Sequence, residues 1–172
     1  EASDVANAVF DEATAVMLSG ESAAGKYPAE SVRAMADIIN HTEKRIDYAD
    51  RFGKCSYKVK NNLDAISNCV VEMEIDTHSK AIVINSISGN TARVISRFRP
   101  PVQIAGVAAD KKVYRKLAMC WGVIPIMKSS DEAFSDAFFN ESKKSADVEA
   151  IELLGLKSGD SIVITGGHLE HG

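Results

Sequence analysis

The chain has 172 residues, 45% of them hydrophobic, and a formal net charge of −4. That length holds one domain, or one domain with a fragment of another, and the acidic balance gives no electrostatic case for nucleic acid, which would need a basic face. No signal peptide and no apolar run of transmembrane length is visible, and Cys55, Cys69 and Cys120 are widely spaced with no Cys-x-x-Cys pair. Disulfide scaffolding and zinc are therefore poor readings, membrane roles are excluded, and a reducing, cytoplasmic setting fits best.

Ser3 and Asp4 stand before the apolar-periodic run Val5, Ala6, Ala8 and Val9, which predicts a helix start with an N-cap. The short apolar run Ala13–Leu18 ends at Ser19-Gly20 and predicts a buried strand. Pro28 opens a helix as an N1-type proline, and Val32, Met35, Ile38, Ile39 and Ile46 keep helical spacing to about Arg45. From Asp47 to Lys60 the pattern breaks into polar sequence, which predicts a linker. A new helix is expected from Asn61 to about Asp76, with Leu63, Ile66, Val70 and Met73 on one side.

Four β-branched apolar runs follow: Ala81–Asn85, Val102–Ala108, Val123–Met127 and Ser161–Thr165. Helical segments are expected between them at Asn90–Arg97, Asp110–Met119 and from Asp131 to about Leu154. Apolar strands alternating with helices predict an α/β fold, an open, mostly parallel sheet with helices on both faces. Residues 1 to about 46 read as an orphan helix–strand–helix, which cannot close a barrel alone, since a (β/α)8 barrel needs roughly 200 residues or more. The chain opens without Met, at Glu1-Ala2-Ser3, and this predicts the middle of a larger polypeptide.

Three groups of residues could carry chemistry. Ser19, Gly20 and Glu21 follow the first strand run, where they could cap the next helix or stand at the carboxyl end of a barrel strand. The stretch Asn85-Ser86-Ile87-Ser88-Gly89-Asn90-Thr91 joins a strand to a helix and brings hydroxyls, a glycine and helix N-terminal amides together. Those are the donors a phosphate needs, although simple capping by Ser88 or Thr91 explains the same residues. It is not a P-loop, since no G-x-x-x-x-G-K-[ST] is present. Thr165-Gly166-Gly167-His168 follows the fourth strand and is expected at the same sheet edge.

Other groupings read as structural. His168, Glu170 and His171 are taken as exposed polar sequence, and Glu72, Glu74 and Asp76 with His78 as a solvated helix end. Arg93, Arg97 and Arg99 are expected to be ion-paired surface or interface residues, Trp121 to pack in the core, and Cys69 and Cys120 to be buried, inert thiols.

The sequence SDVANAV (Ser3–Val9) with VMLSGESAAGKYP (Val16–Pro28) closely resembles the last strand–helix segment of the pyruvate kinase barrel. AIVINSISGNTARVISRFRP (Ala81–Pro100) resembles the first strand and helix of that family's C-terminal domain, and the resemblance spans nearly the whole chain. It implies a barrel remnant over 1–46, a linker over 47–60 and the C-terminal α/β domain over 61–172. It further implies phosphoryl transfer from phosphoenolpyruvate to ADP, giving pyruvate and ATP in glycolysis, with Mg²⁺ or Mn²⁺ and K⁺ bound by the full-length enzyme. The catalytic lysine, metal carboxylates, K⁺ ligands and substrate arginine of the family lie upstream, so this chain alone is expected to bind no metal and to be inactive. Ser19 and Glu21 would be accessory barrel-end residues. Ser86, Ser88, Gly89, Asn90, Thr91, Gly166 and Gly167 would hold the phosphate of an allosteric effector, a sugar phosphate or AMP. Many members carry Lys or Arg at the positions of Ile87 and Asn90, so the loop here lacks cationic partners for a doubly charged phosphate. The expected partners are that effector, the rest of the enzyme chain and further copies of it in a tetramer. In the family a final strand follows the glycine loop. Here the chain stops at Gly172, which predicts a mobile loop and an unpaired sheet edge.

Overall fold

The computed structural model describes residues 2–86, 88–127 and 152–166. They form two compact units, divided between Tyr48 and Ala49.

The first unit holds helices α1 (Ala2–Phe10), α2 (Gly20–Ala23) and α3 (Pro28–Glu43). Helix α1 packs on α3 and buries Val9. Pro28 sits at the start of α3 as expected, where its missing N–H costs nothing. Two expectations fail here. The first helix already begins at Ala2, so Ser3 and Asp4 lie in its first turn rather than capping it. The run Ala13–Leu18 is not a strand and not buried, with Met17 87% exposed. A strand is made by its ladder, and an apolar run with no neighbouring strand among the described residues of its unit has nothing there to pair with.

Helix α4 (Tyr48–Lys54) begins at the boundary residue, and the second unit holds the rest of it with α5 (Asn62–Thr77), β1 (Ala81–Ser86), α6 (Asn90–Arg97), β2 (Gln103–Ala108), α7 (Lys111–Leu117), β3 (Val123–Met127) and β4 (Val163–Gly166). The strands form one open sheet in the order β3-β2-β1-β4, and every pairing is parallel. Ile82 sits opposite Ile104 on one side and Val163 on the other. One sheet face carries Ile82, Ile84, Ile104 and Val123 against Val71, Ile95, Phe98 and Leu117 of the helical layer. The other carries Val83, Ala105, Val107 and Ile126, with Leu154 and Ile162 packed beside them. Burial on both faces is why these strands read as continuous apolar runs rather than alternating ones. The edge strand β3 carries Pro125, a residue compatible with an edge because it has no N–H to donate. The expected helix from Asp131 falls almost wholly outside the described residues.

The expected linker over 47–60 is instead partly helical and fastened to the second unit. Tyr57 stands edge-on to Phe98 at 4.6 Å, and Phe52 lies 6.3 Å from both rings. The Tyr57 hydroxyl donates to the Arg97 carbonyl at 3.4 Å. The stretch read as linker because its composition is polar, but two aromatic rings suffice to anchor it.

Helix α5 starts at the expected place. Its N-cap, Asn61, accepts from the Asp64 amide at 2.9 Å, and Asp64 in return accepts from the Lys60 amide at 3.2 Å. Its buried face differs from the expected one. Ile66 and Met73 are 52% and 54% exposed, whereas Asp64, Ser67, Val70, Val71 and Glu74 are buried. Cys69 shares the outward side and is exposed, contrary to expectation. Asp64 is neutralised by Arg97, 2.8 Å away. Glu74 is not the solvated helix-end residue that the sequence suggested. It is 2% exposed, and its Oε2 has no partner among the described residues. Burial pushes its carboxyl up to about 7.

Phe98, 1% exposed at the centre of this packing, should cost about 3–5 kcal/mol when replaced by Ala, measured by urea unfolding. Glu74 holds its proton more tightly folded than unfolded, so folding takes up a proton between about pH 4.5 and pH 7. Wild-type stability should therefore fall as pH rises through that window and level off above it. Glu74→Gln should flatten the slope and gain about 1–3 kcal/mol over wild type at alkaline pH; equal pH slopes for the two proteins would refute the assignment.

Candidate functional site

The strand order fixes where a ligand would fit. From β1 the chain moves through α6 to β2 and α7 to β3, then returns to place β4 on the other side of β1. The order therefore reverses between β1 and β4. In open parallel sheets the crevice at such a switch, beyond the strands' carboxyl ends, is the usual ligand position. The carboxyl ends of β1 and β4 hold Ser86 and Gly166, and the described residues 88–91 that the sequence singled out lead from β1 into α6.

Asn85 is in register with Gly166, so the end of β4 lies beside the end of β1. Ser86 closes β1 and is buried. Ser88 and Asn90 are exposed and Thr91 is half-buried. Gly89 is the N-cap of α6, with a left-handed φ of 74°. The Ser88 hydroxyl oxygen accepts from the Asn90 amide at 3.3 Å. The capping alternative thus applies to Ser88, while the amides of Thr91 and Ala92 belong to the first helical turn and have no intrahelical acceptor. Together with the positive end of α6, these amides suit an anion. Ile87, Gly167 and His168 lie outside the described residues, as do Glu170 and His171.

Gly89 has a second reason to be glycine. A Cβ there would lie 3.0 Å from Val113 Cγ1 and 3.2 Å from Leu117 Cδ2. The loop is pressed against α7, which starts with Asp110 accepting from the Lys112 and Val113 amides at 2.7 and 2.8 Å.

Two residues at this edge were not assigned to the site from sequence. Arg93 donates to Asn90 Oδ1 at 2.9 Å, bringing a guanidinium to the first turn of α6. Its spacing of three from Asn90 on a helix was the available signal. Asn85, at the end of β1, has a buried Oδ1 with no partner among the described residues. The three arginines do not share one role. Arg97 is ion-paired, Arg93 is held by an amide, and Arg99 is buried rather than exposed, 4.6 Å above the Trp121 ring. The ring itself is only half-buried, and its carbonyl accepts from the Ser96 hydroxyl at 2.6 Å. Cys120 is half-buried. Burial raises its thiol pKa and Arg93 partly offsets this.

Ser19 and Glu21 lie in the first unit, apart in sequence from the loop, and are exposed. The Ser19 amide donates to Glu21 Oε2 at 3.0 Å. Backbone amides of Glu21 and Ser19 hold the Glu21 carboxyl below its ordinary range, against a small opposing effect of burial. The Ser19 side chain makes no capping bond. An open groove of about 490 Å³ in the same unit is lined by Phe10, Ile38 and Thr42 and by the charged Asp37, His41 and Arg45, and includes neither Ser19 nor Glu21. Among the described residues no three His, Cys, Asp or Glu side chains converge as a metal-binding group, and no helix is long and apolar enough to cross a membrane.

The comparisons with known proteins agree with this layout. The family described as "Pyruvate kinase, alpha/beta domain" matches residues 64–172, and "Pyruvate kinase, barrel domain" matches residues 1–32. A pyruvate kinase of Clostridium acetobutylicum is 41% identical over 97% of this chain and 34% of its own length. One from Staphylococcus saprophyticus is 39% identical over 97% of this chain and 28% of its own length. The crystal structure of a pyruvate kinase from Cryptosporidium parvum superposes with a TM-score of 0.85 at 32% identity, covering 96% of this chain and 34% of that one. The chain thus spans about a third of the length of the relatives it matches.

Gly89→Ala should destabilise the second unit by about 1–3 kcal/mol, from the left-handed backbone and the contact with α7 together. Chemical denaturation checks this, and a neutral result would mean that neither constraint operates.

Proposed function

This chain belongs to the pyruvate kinase family, and from that premise we propose that it is the C-terminal part of a phosphotransferase moving a phosphoryl group from phosphoenolpyruvate to ADP. The supporting observation is that two separated regions match the family's barrel and α/β domains in order, at about a third of the relatives' length. Within the whole protein this chain would supply the end of the barrel, with Ser19 and Glu21 as accessory residues, and a regulatory α/β domain. The whole enzyme would be a cytoplasmic homo-oligomer, a tetramer, using Mg²⁺ or Mn²⁺ and K⁺. Among the described residues of this chain no three His, Cys, Asp or Glu side chains converge on a site for those ions.

The regulatory site would be the switch-point loop. Ser86, Ser88, Gly89, Asn90 and Thr91, with Gly166 and Gly167, would hold the phosphate of a sugar phosphate or AMP through amides, hydroxyls and the α6 dipole. Arg93 would supply the cation absent at Ile87 and Asn90. Effector binding would act on the barrel only through a difference in affinity between two states of the whole enzyme. A second reading has its own support. Ser88 already caps Asn90, and Gly89 is required by α7, so the loop could serve assembly alone.

Thermal melting separates the two. Inorganic phosphate, AMP, ribose 5-phosphate, glucose 6-phosphate or fructose 1,6-bisphosphate should raise the melting temperature if one of them binds. At a hundredfold excess over Kd the stabilisation is about 2.7 kcal/mol, and Ser88→Ala with Thr91→Ala should abolish it. No shift with any ligand would favour the assembly reading. In a coupled assay with phosphoenolpyruvate and ADP the chain alone should show no turnover; turnover would overturn the fragment reading.

A further inference from the structure

We propose that the outer face of α7 is a docking surface for a short acidic segment of another protein. Helix α7 holds Lys111, Lys112, Arg115 and Lys116, four of the chain's 20 Lys and Arg, within seven residues. All four are exposed. Only Val113 and Leu117 of the helix are buried. None of the four cationic side chains has an ion pair among the described residues. The acid next to them in sequence, Asp110, is committed to capping the helix.

This arrangement works against the helix that carries it. Lys111 with Arg115, and Lys112 with Lys116, are like-charge pairs at i,i+4, a spacing that disfavours a helix. Lys111 and Lys112 also occupy the first turn, where the helix dipole disfavours cations. A locally unfavourable charge pattern without a partner among the described residues is what a surface reserved for an external one looks like.

The shape and charge of the surface select the partner. A helix of seven residues is about 10 Å long, which matches about three residues of extended peptide. The chain as a whole carries a net charge of −4. A long polyanion or an anionic membrane would extend beyond the patch into that repulsive field, whereas a short acidic peptide stays within about one Debye length of the cations, about 8 Å at physiological salt. Tyr114 and Met119, 37% and 66% exposed, flank the cations and offer apolar contact to the same peptide.

The test uses fluorescence anisotropy with a labelled Glu-rich peptide, its Gln counterpart, a single-stranded oligonucleotide and phosphatidylserine vesicles as competitors. The acidic peptide should bind saturably, weaken with added salt, and lose roughly tenfold or more in affinity on Lys112→Glu with Arg115→Glu. As a control on folding, Lys111→Gln with Lys116→Gln should melt higher than wild type without peptide and bind the peptide less tightly. No binding by wild type, equal binding of the Gln peptide, or binding that survives charge reversal would overturn the proposal. So would a lower melting temperature for the neutral variant, which would make the cations part of the fold. Tighter binding of the oligonucleotide or the vesicles than of the peptide would overturn it in favour of that partner.

Discussion

Strand β1 has a backbone neighbour on each edge and side chains buried on each face. Ala81, Ile82, Val83 and Ile84 are 0–2% exposed. A parallel strand in that position has one register, because a slip of one residue would exchange every side chain between the two cores. Once Ile82 is fixed against Ile104 and Val163, Ser86 must end beside Ala108, and Gly166 beside Asn85. The candidate phosphate loop is thereby placed by apolar packing several residues away from it. The site's donors are local, but their convergence is a property of the core.

Helix α5 shows what that core tolerates. Its inner face carries Asp64, Ser67 and Glu74 as well as Val70 and Val71, so it is far from an apolar stripe. Asp64 is accommodated because it has three separate compensations: Arg97, the Lys60 amide and its place in the first turn of the helix. Glu74 lies near the other end, where the dipole offers it nothing, and no cation is paired with it among the described residues. Protonation is the remaining way to hold a carboxyl there near neutral pH. The two acids look alike in the sequence, and their different states come only from what the fold sets beside them.

That distinction marks what could be read from the sequence. The four strands were readable because a parallel sheet buried on both faces writes itself as short apolar runs, and α3 and α5 announced themselves through Pro28 and Asn61. The loop after β1 was readable because strand, glycine and helix follow one another directly. What could not be read depended on partners distant in the chain. Ala13–Leu18 has strand composition, yet composition does not supply a ladder. The 47–60 stretch has linker composition, yet Tyr57 finds Phe98, 41 positions along the chain. The face of α5 was misassigned because its apolar residues, Ile66 and Met73, point outward, so periodicity alone selected the wrong side. Arg93 was passed over because its partner is a neutral amide rather than an acid.

Gly89 joins the fold to the candidate site. Its left-handed backbone turns the chain into α6, and its missing Cβ lets α7 approach. An invitation to an anion and a packing requirement therefore coincide at one residue, so its identity alone cannot distinguish regulation from assembly. The residues around it carry that distinction. A pure cap needs Ser88 and nothing more, whereas the guanidinium of Arg93 drawn to Asn90, and the buried Asn85 Oδ1, which has no partner among the described residues, have no capping purpose. Polar groups gathered beyond the requirements of the backbone at a topological switch are what the proposed effector site would use and what a scaffold alone would not need.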